Sequence, residues 1–392
     1  MTMEDAHASG ARTNAVATGP TEQELQTLWN RVVGRRSFLR QAGLASAAAV
    51  PVSAIATSSA VAARTAKPTA GDFAILRFLA AAELIESDLW EQYRAFGGVN
   101  GANPPYIAAL SNLDSDMPQY IADNTDDEQS HAAFINAYLK SKGQEPVSLD
   151  QFRTLLPSKA TGGGSAKRLT NLMALNVDTS FYLRYRATTN PDFGTKFGQA
   201  VHIKDQSAIP ISDTDTPLST SAPIPPVTTA ERRIQAIANT AGFHFAMIEQ
   251  GGSSLYTTMA LKVTSLEVLR IVVAIGGVET NHFSLWHDKC GNAVSQPLAG
   301  VTDPETGTFF PDLNASGGEA TQTNLILPEP CEFIPGLPDC SVVRPTIDSL
   351  AGAQAAVAAL TADGLFKGQS AGFFTKVKRL AKAADAAQRQ VG

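Results

Sequence analysis

The sequence predicts an all-α protein: a four-helix bundle with a long insertion between its second and third helices and a helical C-terminal extension. Three observations lead to this prediction. Four long segments repeat apolar residues every three or four positions, two of them open with a helix-capping pattern, and two alanine-rich amphipathic stretches lie near the C-terminus. With 392 residues and a hydrophobic content of 44%, the chain can bury a sizeable core.

Residues 1–63 are predicted to be a leader. Arg35 and Arg36 precede a weakly hydrophobic run rich in alanine and serine, which ends in Ala-Val-Ala at 60–62. This pattern is typical of a twin-arginine export signal and predicts a periplasmic or extracellular protein whose mature chain begins near residue 64. The alternative is a disordered tail in which the arginine pair occurs by chance.

The predicted bundle occupies residues 64–290. Thr228-x-x-Glu231 and Thr264-x-x-Glu267 are capping boxes that mark the starts of its third and fourth helices. The first helix is expected to pair with the second, and the third with the fourth in an antiparallel hairpin. The four helices are expected at about 72–96, 117–142, 228–262 and 264–290.

Two regions lie outside these helices. The insertion, 144–227, holds a further predicted helix at 166–187 and a stretch rich in proline, serine and threonine. The extension, 291–392, is loop-rich and ends in two short helices at roughly 346–362 and 370–389. We expect these helices to pack on the bundle or on a neighbouring subunit, so a homo-oligomer stays an open alternative.

The three cysteines bear on the redox compartment. An exported chain reaches an oxidising environment, where Cys331 and Cys340 are close enough in sequence for a local disulfide. Cys290 would then be left over, and other pairings stay open.

Two copies of one pattern carry the chemistry. Each helix pair has a glutamate on its first helix and Glu-x-x-His on its second, and residues three apart lie on one helix face. Four carboxylates and two imidazoles converging inside a bundle form the ligand set of di-iron and di-manganese carboxylate sites. We therefore predict two Fe or Mn ions, with iron favoured. The predicted ligands are Glu83, Glu128, His131, Glu249, Glu279 and His282.

The depths of these residues agree with the pattern. Glu249 and Glu279 lie equally far from the turn expected near residue 264, so they face each other at mid-bundle. The glycine pairs 251–252 and 276–277 also face each other, one turn away. Because glycine costs about 1 kcal/mol against alanine inside a helix, we infer a purpose: close helix approach, or a pocket for O₂ or peroxide.

Other polar residues fit the site less well. Glu86 lies on the same stripe as Glu83 and is an alternative or additional ligand. Tyr256 is either a one-electron donor or a core packing residue. We interpret His244 and His287 as packing or surface residues. We interpret Asp126 and Asp127 as a solvated pair in the first turn of their helix.

These motifs resemble the ferritin-like superfamily. The segments "AAAELIESDLW", "DDEQSHAAFINAYL", "FAMIEQGGSSLY" and "GGVETNHFSLWH" follow its order of Glu, Glu-x-x-His, Glu, Glu-x-x-His. The resemblance covers about 72–142 and 228–290 and is closest to exported bacterial ferritin-like domain proteins related to desiccation-related and stress-response proteins. It implies the six ligands named above. The insertion and the extension depart from true ferritins and disfavour a storage cage.

Two functions of different kinds follow. The first is an exported oxidoreductase whose metal centre reacts with O₂ or H₂O₂, by ferroxidase or peroxide-scavenging chemistry. The second is a non-enzymatic stress or desiccation protein that uses the bundle as a stable interaction module. The net charge of −6 and the lack of a basic stripe argue against nucleic-acid binding, and no run of 18 apolar residues predicts a membrane span.

Overall fold

The computed structural model describes residues 67–183, 198–217, 223–315 and 352–390, with the short pieces 328–329, 336, 338 and 340–341. The chain divides into two units, Met1–Ala63 and Arg64–Gly392, and all of these residues belong to the second. The predicted leader lies outside the described residues.

Four long helices form the bundle, in which α1 packs mainly on α3 and α5 packs on α6. The predicted all-α bundle with extensions is confirmed, and each bundle helix begins and ends within about two residues of the expected limits. Two strands of two residues each, β1 (Pro328–Glu329) and β2 (Cys340–Ser341), pair antiparallel. The α-helices of the described residues are α1 Ala70–Gly97, α2 Pro104–Leu113, α3 Met117–Ser141, α4 Ser180–Leu183, α5 Thr229–Ala260, α6 Leu266–Gly291, α7 Ala353–Ala362 and α8 Ala371–Asp385.

Local signals set most helix starts. Thr228 and Glu231 form the predicted capping box at the start of α5. The predicted box at the start of α6 is wrong: Ser265 is the N-cap, without a side-chain hydrogen bond. Glu267 instead contacts Lys142 Nζ at 2.9 Å. The carboxylate of Asp72 in α1 accepts the Thr264 N–H at 2.8 Å, so the cap comes from another helix.

Helix α2 was not predicted, because its surroundings are rich in glycine and proline. Asn103 is the N-cap and accepts the Tyr106 N–H at 3.1 Å. Proline occupies the first helical positions, where its missing N–H is not needed. The connection between the first helix pair is therefore a helix that packs on α5, α1 and α3.

The helix predicted at 166–187 is wrong in the described residues, apart from the single turn α4. The backbone of this stretch bonds to other parts of the protein. Asp88 accepts the N–H groups of Leu169 and Thr170 at 2.9 Å each. Leu175 forms a bridge with Gln206. Because these backbone N–H and C=O groups bond to residues outside the segment, they are not available for helical hydrogen bonds, and the segment packs on the bundle without forming a helix.

The extension covers the bundle from one side. Helix α8 packs along α1 and against α7, and the carbonyl of Asp385 accepts Lys262 Nζ at 2.8 Å. Of the two packing alternatives for these helices, contact with the bundle of the same chain is observed. Cys290 is buried and free, whereas the proposed pairing of Cys331 with Cys340 lies outside the described side chains. No helix of the described residues is long and apolar enough to cross a bilayer.

Candidate metal centre

The structure brings the six predicted ligand residues together inside the bundle. Glu83 comes from α1, Glu249 from α5, and the two Glu-x-x-His motifs from α3 and α6. All four glutamates are at most 1% exposed, and the two histidines at most 9%. Carboxylates are seldom buried without partners because desolvation is costly, so the cluster needs a compensating charge.

The donor atoms form two overlapping groups, each within 4.8 Å. The first consists of Glu83, Glu128, His131 and Glu279, and the second of Glu128, Glu249, Glu279 and His282. Glu128 and Glu279 belong to both groups. Two donor groups that share two carboxylates are compatible with a metal site inside the bundle.

Both imidazoles turn Nδ1 toward the carboxylates. Nδ1 of His131 lies 3.2 Å from Oε2 of Glu128, and also near Glu83 and Glu279 at 3.3 and 3.4 Å. Nδ1 of His282 lies 3.1 Å from Oε1 of Glu128 and 3.2 Å from Oε2 of Glu249. Each Nδ1 thus lies at similar distances from oxygens of several glutamates, so the donor atoms point toward a common position between the side chains.

Three buried carboxylate oxygens of the cluster make no hydrogen bond within the described residues: Oε2 of Glu83 and both oxygens of Glu279. His131 lies near two of them, but without hydrogen-bond geometry. Buried oxygens of this kind need a partner. Four carboxylates with two imidazoles suit divalent iron or manganese, so the residues present fit a metal centre.

The electrostatics of the cluster reflect its crowding. Burial and repulsion from Glu249 raise the pKa of Glu128 to about 7. Burial and repulsion from Glu128 hold the pKa of Glu279 well above its usual value. Burial lowers the pKa of His131 and His282, but the neighbouring carboxylates outweigh it and raise both. A cation bound here would displace these protons, so its affinity should rise with pH.

Side chains around the cluster, whose roles were not predicted from the sequence, orient the ligands. Nε1 of Trp90 donates to Oε1 of Glu249 at 3.1 Å. Asn124 donates to Glu128 at 2.8 Å and to Glu249 at 3.1 Å, and accepts Nε1 of Trp286 at 2.7 Å. Asn124 could have been found, because it lies one turn before Glu128 on the same face of α3.

Asp127 is exposed, as expected for a solvated residue, but it does not lie in the first turn of α3 and it contacts a predicted ligand. Its Oδ2 lies 3.1 Å from Nε2 of His282, although the side chain is 52% exposed. This contact holds the ring so that Nδ1 faces the cluster, as carboxylates commonly do for metal-binding histidines. Its neighbour Asp126 pairs at the surface with Arg94. No pattern within α3 distinguishes the two, because the contact depends on α6.

Tyr256 and Glu86 both lie next to the cluster. The Tyr256 hydroxyl donates to Oε1 of Glu83, and burial, followed by the charge of Glu83, holds its pKa well above the usual value. Tyr256 is therefore both buried and in contact with a predicted ligand. Glu86, one turn after Glu83, belongs to neither donor group. Of these two glutamates, the structure brings Glu83 into the cluster.

The histidines set aside earlier are buried packing residues. His244 takes a hydrogen bond of 2.7 Å between its Nδ1 and the Tyr93 hydroxyl. His287 stacks on Tyr182 with ring centres 5.0 Å apart. Neither belongs to the donor groups.

The two facing glycine pairs have separate outcomes. Gly252 lies against the carboxylate of Glu279, and a Cβ at Gly276 would stand 2.7 Å from Cβ of Tyr256. These two glycines allow close approach. Gly277 faces open space, and Gly251 lines a cavity beside the centre.

The fold and the site define a class: a four-helix bundle with a buried cluster of glutamate and histidine that could bind metal. The chain belongs to the ferritin-like domain family, whose sequence pattern matches residues 71–292. Comparison with curated proteins and with solved structures gives no match.

Proposed function

We propose that this chain is an exported ferritin-like protein that holds a dinuclear Fe or Mn centre, with iron favoured, and reacts with O₂ or H₂O₂. The observation that carries the proposal is the overlap of the two donor groups at Glu128 and Glu279. A site for one ion does not need two shared carboxylates, and neither oxygen of the buried Glu279 has a hydrogen-bond donor among the described residues.

Iron or manganese ions held there would supply the redox chemistry that reduces O₂ or converts peroxide. The residues of the chain set the conditions for it. Asp127 fixes His282 with Nδ1 toward the cluster. Tyr256 donates to Glu83 through a phenol that stays protonated, which makes it the proposed one-electron neighbour. Trp90 and Asn124 hold Glu249 and Glu128, and thereby limit their movement.

Metal content of the full-length chain tests the proposal. We expect about two Fe or Mn per chain by elemental analysis, with loss of metal in Glu128→Ala and Glu279→Ala. Glu267→Ala is the matched control, because Glu267 lies on α6 but contacts Lys142 at the surface. Oxygen consumption after anaerobic Fe(II) loading then tests turnover.

Other outcomes favour other functions. Little metal after loading with Fe(II) or Mn(II) would leave the carboxylates as structural groups and favour the non-enzymatic stress module. Bound metal without oxygen or peroxide turnover would favour the same alternative. A particle of cage size in solution would favour iron storage.

Export is the second part of the proposal, and it rests on the arginine pair and the alanine-rich run of residues 34–63. It agrees with the resemblance to exported stress-related proteins. Replacing Arg35 and Arg36 with lysine should retain the chain in the cytoplasm of a bacterial host. Equal export of both forms, measured by cell fractionation, would contradict it.

A further inference from the structure

A cavity of about 490 Å³ lies beside the metal centre, between α1, α5, the insertion and the C-terminal helices. Most of its wall is apolar, with side chains that include Phe78, Ile85, Phe181, Ile203, Leu255 and Phe366. This volume is in the range of small-molecule sites, which are mostly apolar with a few polar groups. Polar residues, among them Glu86, Asp178 and Asp363, form the smaller part of the wall.

One end of the cavity is open. His202 and Lys204 from the insertion and Ala362 from α7 form part of its rim, and all three are exposed. The insertion and the extension, which lie outside the four bundle helices, thus build the outer wall. A molecule can enter without separation of the bundle helices.

The other end reaches the metal centre. Gly252 lines the cavity while the opposite side of its backbone lies against the Glu279 carboxylate. Glu86 also lines the cavity, one turn along α1 from Glu83. Its side chain is half-buried, yet burial, followed by the charge of Glu279, raises its pKa as for an interior group. Because Glu86 is only half-buried and lines the cavity, its side chain is accessible there.

We propose that this cavity is a binding pocket for a small, uncharged, mainly apolar organic molecule, whose inner end contacts Glu86 beside the metal centre. The apolar wall selects against ions and sugars, because their polar groups would lose water without replacement. Glu86 gives the inner end a polar contact that orients the ligand. The walls consist of the protein alone, so the pocket binds its ligand with or without metal.

Titration of the metal-free full-length protein with the neutral dye N-phenyl-1-naphthylamine tests the pocket. We expect saturable, blue-shifted fluorescence with one site per chain. Ala82→Phe in the wall and Glu86→Phe at the inner end should each weaken binding at least about tenfold by filling the space. Ala383→Phe is the matched control, because Ala383 is exposed on α8, and it should bind as the wild type does.

Circular dichroism confirms that each variant folds, and Leu360→Trp fills the pocket from α7 if Ala82→Phe does not fold. Absence of saturable binding, or wild-type affinity in the filled variants, overturns the pocket. Wild-type affinity in Glu86→Phe alone overturns the position of its inner end. Since the titration needs no metal, failure of the metal proposal appears separately in the elemental analysis.

Discussion

Gly252 leaves room for the carboxylate of Glu279: a Cβ at position 252 would stand 2.4 Å from Oε2 of Glu279. The two residues lie on neighbouring helices, α5 and α6, at the depth of the candidate centre. The contact explains why a helix that would gain stability from alanine carries glycine here. The end of a glutamate side chain is flexible, so the consequence of a larger residue is displacement of Glu279 and not unfolding.

Gly252→Ala should therefore fold and lose metal. The added methyl group displaces Glu279, which belongs to both donor groups, while alanine favours the helix by up to about 1 kcal/mol. We expect a melting temperature no lower than that of the wild type and a metal content reduced by at least half, measured by elemental analysis. Gly277→Ala, with nothing within 4 Å of its Cβ, should keep its metal. Full metal content in both variants would contradict this role of Gly252.

Asp127→Asn should weaken metal binding about 10- to 100-fold, because His282 loses the carboxylate that orients its ring. Competition with a chelator of known affinity measures the change. Asp126→Asn is the matched control, since Asp126 is the preceding residue and pairs with Arg94 at the surface. Equal affinities in the two variants would show that Asp127 is dispensable.

His244 should make the protein less stable in acid. Burial lowers its pKa from 6.5 to about 3, so the unfolded chain binds a proton that the folded chain does not between these values. Its contribution is fully present above pH 6.5 and is lost as pH falls toward 3. Between pH 7 and pH 5 the loss is about 2 kcal/mol.

The test compares urea unfolding of the wild type and His244→Asn at pH 7 and pH 5. Asparagine can still accept the Tyr93 hydroxyl at the position of Nδ1 but has no proton to gain. The variant should therefore lose less stability on acidification than the wild type does. An equal loss in both proteins would assign the acid sensitivity to other groups.

Arg233 should matter for stability more than any surface arginine. It is 4% exposed and pairs with Asp215 of the insertion at 3.2 Å and with Asp303 of the extension at 2.5 Å. Removing one partner of a buried ion pair costs about 3–5 kcal/mol, because charges stay buried without compensation. Arg233→Met should lower the free energy of unfolding by that amount, measured in urea, whereas Arg232→Met should change it by less than about 1 kcal/mol. A small change in both would indicate that water reaches Asp215 and Asp303.

The bundle could be predicted from the sequence because the pattern that specifies each helix lies within that helix. The stripes of α1, α3, α5 and α6 repeat at helical spacing, and the six donors lie on those stripes. Asp127 and the cap from Asp72 could not be predicted, since both depend on how one helix rotates against another. The helix prediction for 166–187 was wrong for a related reason. The backbone of this segment forms hydrogen bonds with Asp88 and Gln206, which are distant from it in the sequence. The proline and asparagine signals of α2 were present but were outweighed by the glycines before them.

Neither helix pair holds a complete set of donors. The pair α1 and α3 supplies three residues of the first group and takes Glu279 from α6, while the pair α5 and α6 supplies three of the second and takes Glu128 from α3. An ion bound at the proposed centre would therefore link two halves that the insertion separates along the chain. Because such an ion would bind only when the two halves are joined, its binding free energy would add to the free energy needed to separate them. Removal of the metal would weaken the contact between the two helix pairs first and leave each pair intact.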